Sequence, residues 1–118
     1  MKAVNKTKNI VLAEKVVVAS GLKKFIGLIG RKRLENGSGL LLLQCRGVHT
    51  YFMRFAIDVV YLDANGKVLK IVEGMLPYTL GPLVRKARAV LELPAGTCRE
   101  SGTAEGDLVE FIKEEEGK

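Results

Sequence analysis

The segment Cys45-Arg46-Gly47-Val48-His49-Thr50-Tyr51-Phe52-Met53-Arg54-Phe55-Ala56-Ile57-Asp58 concentrates the reactive side chains of this 118-residue chain and holds its one histidine. In an extended segment alternate side chains share a face, so Cys45, Gly47 and His49 lie together, with glycine leaving room between thiol and imidazole. A nucleophile–base pair would need the imidazole within hydrogen-bond reach, lowering the thiol's pKa. A metal centre would need further ligands from Cys98, Glu92 or Asp58, and the paired short spacings typical of structural zinc are absent. The preferred reading is plainer: a half-buried cysteine and a satisfied histidine, with no metal and no cofactor.

The same segment supports two other chemistries. Tyr51, Phe52 and Phe55 beside Arg46 and Arg54 suit a stacking surface for single-stranded nucleic acid, although aromatics on strands more often belong to a core. Arg54 and Asp58 can instead form a charge-assisted pair at the rim of a pocket, with Met53 as an adaptable apolar wall.

The elements that must position these groups are mostly strands. The β-branched run from residue 9 to residue 19 favours one strand or a bent pair. Leu22, Phe25, Ile26 and Ile29 recur at helical spacing between Ser20 and Gly30, which predicts a short helix over 20–29. Residues 31–39 read as a loop before an apolar strand at 40–44, and 45–50 as its extended continuation. The strongest local signal is Asp63-Ala64-Asn65-Gly66 between apolar runs at 55–63 and 67–73, a hairpin in which Asn and Gly tolerate positive φ. A loop at 74–82, a strand at 88–93, a helical turn within 94–101 and a closing strand at 107–113 complete the chain. Asp107, in a glycine-flanked turn, is suited to accepting backbone N–H groups. These elements predict a mainly β (α+β) domain, a compact barrel or sandwich with one or two short helices. A basic arm at 1–9 precedes the domain at 10–113, and a frayed tail at 114–118 follows it.

Composition limits what such a domain can do. With 47% hydrophobic and 27% charged residues it has a soluble, globular profile, and no unbroken apolar run is longer than that at residues 40–43, which is far too short to span a membrane. The apolar stretch 10–19 is broken by Glu14 and Lys15, so no secretory signal is expected and the cytoplasm is the default location. Two cysteines cannot form a disulfide framework, although a single Cys45–Cys98 bridge stays open. Residues 1–57 hold eleven basic and two acidic residues, for +9, and residues 58–118 hold eight and eleven, for −3. That asymmetry attracts polyanions or serves simply as a solvated face.

Taken together, Gly27-Leu28-Ile29-Gly30-Arg31, Gly39-Leu40-Leu41-Leu42, His49 through Asp63, and Ala87 through Thr97 resemble the prokaryotic family known as domain of unknown function 192, over about residues 19–112. The resemblance implies a compact β-rich domain with short helices and carries no established activity. The family usually has proline where this chain has Ala56, and commonly tryptophan where it has Tyr78. The motif positions His49, Met53, Arg54, Asp58 and Glu92 fall on separated strands, as the walls of an assembled pocket would. A buried Glu92 needs a partner, for which Arg54 or Arg88 is placed. The leading expectation is a binding or accessory module whose pocket takes an anionic small molecule or a peptide's carboxylate end. The rivals are an enzyme using Cys45 and His49, through thiol or metal chemistry, and a nucleic-acid-binding protein using the basic first half. No membrane partner is expected, and the oligomeric state stays open.

Overall fold

The computed structural model describes residues 1–20, 28 and 31–113. Its elements are β1 (Lys2–Asn5), β2 (Ile10–Ala13), β3 (Lys15–Ala19), β4 (Ser38–Leu43), β5 (Ile57–Leu62), β6 (Val68–Met75), β7 (Ala89–Pro94), α1 (Thr97–Ser101) and β8 (Val109–Ile112). The strands form a three-stranded sheet ordered β2-β1-β8 and a five-stranded sheet ordered β3-β4-β7-β5-β6. Of the two forms expected, the sandwich is the one adopted. Apart from Ser20 and Leu28, the helix expected over 20–29 lies outside the described residues, as does the tail at 114–118.

Alternation along the strands explains the two layers. On one face of the large sheet, Leu41, Val60, Leu62, Leu91 and Leu93 pack against Ala3, Leu12, Ala13 and Val109 of the small sheet. On the other face, Leu40, Leu42, Val59, Tyr61 and Val90 pack with Leu28, Val48, Met53 and Met75 beneath loops. Every residue of β5 is therefore buried, because the strand has a covered surface on both sides. Its partners β6 and β7 run antiparallel to it, whereas β3 and β4 pair in parallel.

Two expectations change here. The arm expected at residues 1–9 is instead the middle strand of the small sheet: β1 pairs with both β2 and β8. Burial drives this, since Ala3 and Asn5 are fully enclosed, and Asn5 donates to Thr103 Oγ1 (3.0 Å) and Asp107 Oδ2 (2.9 Å). The β5–β6 hairpin is present, but only Gly66 takes positive φ, at 86°. Asp63 Oδ1 accepts from the N–H of Asn65 and Lys67, both at 2.9 Å, so the loop closes around the aspartate. A Cβ at Gly66 would collide with the Val109 carbonyl oxygen, which restricts this position to glycine by contact as well as by φ.

Candidate functional site

The five residues expected to line one pocket occupy three different environments. Asp58, on β5, is fully buried and points to the face opposite Val59 and Tyr61. Its Oδ1 accepts from Gly74 N–H (2.8 Å), and its Oδ2 from Gly96 N–H (3.1 Å) and Cys98 N–H (2.9 Å). Gly96 precedes α1 without any side-chain cap of its own, so Asp58 caps that turn from a distant strand and ties it to β6. Its acceptor capacity serves the backbone, and the expected Arg54–Asp58 pair is replaced by these three bonds.

Met53 is a core residue of the loop-covered face. Arg54 is exposed. His49 is half-buried; its Nδ1 accepts the Tyr51 N–H (3.2 Å) and its ring stacks on Tyr51 at 5.0 Å. An accepting Nδ1 leaves the proton of the neutral ring on Nε2.

Glu92 differs from the other four. On β7 it stands opposite Leu40 and Val59, which places it among the apolar side chains of the loop-covered face. It is 4% exposed, and burial pushes its carboxyl up to about 7, because a charge removed from water without a partner is penalised. The expected arginine partners lie elsewhere: Arg88 is exposed and donates to the Ala87 carbonyl at 3.2 Å. Burial, and then the neighbouring Cys45 and Glu92, push the Tyr61 phenol up to about 12, while its hydroxyl donates to the Pro82 carbonyl at 2.8 Å. Cys45, Tyr61 and Glu92 thus share this side of the sheet.

The thiols do not meet. Cys98 belongs to the core between the sheets, and Cys45 packs at the edge of the loop-covered core; neither forms a disulfide among the described residues. Burial, with Asp58 nearby, drives the Cys98 thiol up to about 12. Cys45 Sγ donates to the Gly47 carbonyl (2.9 Å), so its proton is directed to that carbonyl and not to the imidazole. Among the described residues, no group of three or more His, Cys, Asp or Glu side chains is placed to hold a metal ion.

Sequence reasoning missed what joins the covering loops. Thr50 is fully buried. Its Oγ1 accepts from Thr79 N–H (2.8 Å) and donates to the Leu76 carbonyl. Its backbone exchanges bonds with Thr79 and Tyr78, and Gly81 N–H donates to the Val48 carbonyl (2.9 Å). Segments 46–50 and 78–84 are therefore laced together. Threonine in a loop gives no signal for this role in a single sequence. The loops 44–56 and 76–88 contain Arg46, Arg54, Arg85, Lys86 and Arg88 and no acidic residue. All five cations are exposed, and none is in an ion pair among the described residues. A separate hollow of about 440 Å³, lined in part by Val11, Asn36, Thr97 and Glu100, includes none of the five expected residues.

The model of the DUF192 family, described as an uncharacterized ACR, matches residues 3–111. The chain belongs to the DUF192 family. Among curated proteins it is similar to the UPF0127 protein of Pyrococcus furiosus, 32% identical over 93 residues, covering 76% of this chain and 79% of that one. It is also similar to the UPF0127 protein of Pyrococcus horikoshii, 29% identical over 113 residues, covering 92% and 97%. Among solved structures, a Novosphingobium aromaticivorans protein of unknown function superposes with a TM-score of 0.83 at 22% identity, covering 94% of this chain and 84% of that one. A Sinorhizobium meliloti protein classed as a candidate transcription regulator gives a TM-score of 0.76 at 20% identity, covering 92% and 89%. At these identities the two structures establish a shared fold alone. No helix among the described residues is long and apolar enough to cross a membrane.

Proposed function

We propose that this DUF192 chain is a binding module that takes an anionic small molecule, or the carboxylate end of a peptide, on the face built by loops 44–56 and 76–88. The observation that supports this reading is the charge pattern: five exposed cations, none in an ion pair among the described residues, and no acid across both loops. A guanidinium with no internal acidic partner keeps its planar set of N–H donors for a carboxylate or phosphate, often in a bidentate pair. Arg54 is the principal anion contact and His49, on the same segment, an additional donor. Met53 and the uncharged form of Glu92 form the floor. Asp58 holds that floor in place from the opposite face of the sheet.

Thermal unfolding of the whole chain with citrate, phosphate, and matched peptides ending in a free or an amidated carboxyl group tests the proposal at constant ionic strength. The free anions are expected to raise the midpoint and Arg54→Gln to abolish the rise. Equal responses to free and amidated peptides, together with no effect of citrate or phosphate, would remove the basis for the reading.

The edge-on contact of Phe52 with Tyr78, 5.7 Å between ring centroids, favours a second reading, single-stranded nucleic acid stacked on exposed rings. Binding of that kind is expected to fall steeply with salt; retention of a fluorescent oligonucleotide across a salt series distinguishes it.

A further inference from the structure

We propose that the anionic partner of this face is a lipid bilayer surface, which the loops enter by inserting leucine side chains between acidic headgroups. The inference rests on the anion-binding reading above and names its partner.

The first support is an apolar patch on the same loops. Leu76, Leu80 and Leu83 are 66%, 71% and 77% exposed, and Phe52 and Tyr78 are 66% and 63% exposed. These side chains stand on the same two laced loops: His49 bridges to Leu80, Phe52 lies edge-on to Tyr78, and Leu83 packs beside Gly47. Taking about 200 Å² for a large side chain, these five and Tyr51 together leave on the order of 700 Å² in water on this pair of loops, a concentration of exposed apolar surface of the kind that marks interaction sites. Leucines this exposed project from the surface. A fluid bilayer accepts projecting side chains without needing a complementary shape.

The second support is backbone geometry. Phe52 and Tyr78 have φ of 65° and 58°, a region that bulky L-residues rarely occupy and that persists only when the surroundings impose it. Here the Thr50 bonds to both loops impose it. The outcome is that two rings are held in water beside each other.

The third support is charge. The loops that carry the leucines carry only cations, and long basic side chains flanking apolar tips reach lipid phosphates while their stems cover the interface. Tyr51 and Tyr78, each with an apolar ring and a polar hydroxyl, suit the headgroup level. The expectation of no membrane partner rests on the lack of a spanning segment, and docking on the surface requires none.

Co-sedimentation of the whole chain with phosphatidylcholine vesicles, with or without phosphatidylserine, tests this at physiological salt. Binding is expected only with phosphatidylserine and is expected to weaken about tenfold or more in the double variant Leu80→Ser/Leu83→Ser. Both positions are exposed, so an unchanged unfolding midpoint confirms an intact fold. Binding insensitive to the leucine changes, or equal on neutral vesicles, would overturn the inference. Stabilisation by citrate or a free-carboxylate peptide without vesicle binding would overturn it while leaving the anion reading intact. No response to any of these probes would remove both. Capture of an acidic peptide or an oligonucleotide in place of vesicles would assign the face to that partner and refute the lipid one.

Discussion

Replacing Glu92 with glutamine should make the protein more stable, and the gain should grow with pH. In the folded chain the carboxyl titrates near 7, against an ordinary value of 4.5, so folding takes up a proton between those values. A group raised in this way contributes fully below pH 4.5, and its contribution is lost as pH rises through 7. The span corresponds to about 3 kcal/mol at alkaline pH, most of which develops between pH 5 and pH 8. Against a total stability of about 5–15 kcal/mol this is easily measured. Glutamine keeps the shape and removes the ionisation. Any strain or unmet hydrogen bond of its own is independent of pH, so the slope of the difference is the informative quantity. Urea unfolding of both proteins across pH 5–8 should give two lines that diverge by about 2–3 kcal/mol, and groups shared by both proteins cancel in the difference. Parallel lines would mean that Glu92 is hydrated or paired in solution, and the account of its burial would be wrong. A stabilising change at a buried acid is also what a functional residue predicts, because groups kept for binding commonly reduce stability.

Four further outcomes follow from the same contacts. Asp58→Ala leaves three backbone N–H donors without their carboxylate and should cost more than about 3 kcal/mol in urea unfolding; a loss below about 1 kcal/mol would show that water replaces it freely. Gly81→Ala places a Cβ 2.8 Å from Met75 Cε and 3.1 Å from both the Tyr61 hydroxyl and the Val48 carbonyl oxygen, and should destabilise by about 1–3 kcal/mol; an unchanged melting temperature would refute that packing. Ellman's reagent at mild pH should label Cys45 in the native protein and Cys98 only in denaturant, since the Cys98 thiol is pushed up to about 12; equal native rates would contradict its enclosure. Asp107, held near 2 by bonds from Asn5 and Lys8, contributes stability that is present above its ordinary 3.8 and lost as pH falls through 2; Asp107→Asn should therefore narrow its stability deficit as the solution is acidified over that range, and a constant deficit would count against the Lys8 pair.

Residues 55–73 carried their structure in local pattern. Alternating β-branched runs on either side of Asp63-Ala64-Asn65-Gly66 can only pair across that turn, and they do. Asp107 was legible for the same reason, since an aspartate in a tight glycine turn reaches its own neighbouring N–H, here that of Ala104 at 3.0 Å. The mainly β class and the DUF192 kinship followed from similar short-range signals. Long-range pairing was not legible. Lys2 to Lys8 looked like a solvated arm because the partners of β1 are β2 and the distant β8, and no local pattern records a contact about a hundred residues away. The candidate site was divided by the same physics. Strand alternation assigned Asp58 and Glu92 opposite faces, while His49, Met53 and Arg54 fall in the loop between β4 and β5; only the stacking of sheets and loops decided what covers each. That packing closed three backbone donors around Asp58, left Arg54 in water, and enclosed Glu92 with no cation paired to it among the described residues. The sequence therefore determined which groups were available and, for Asp58 and Glu92 on their strands, which face each would lie on. The tertiary structure decided their charge state and access, because burial and hydrogen bonding depend on neighbours brought in by the whole fold.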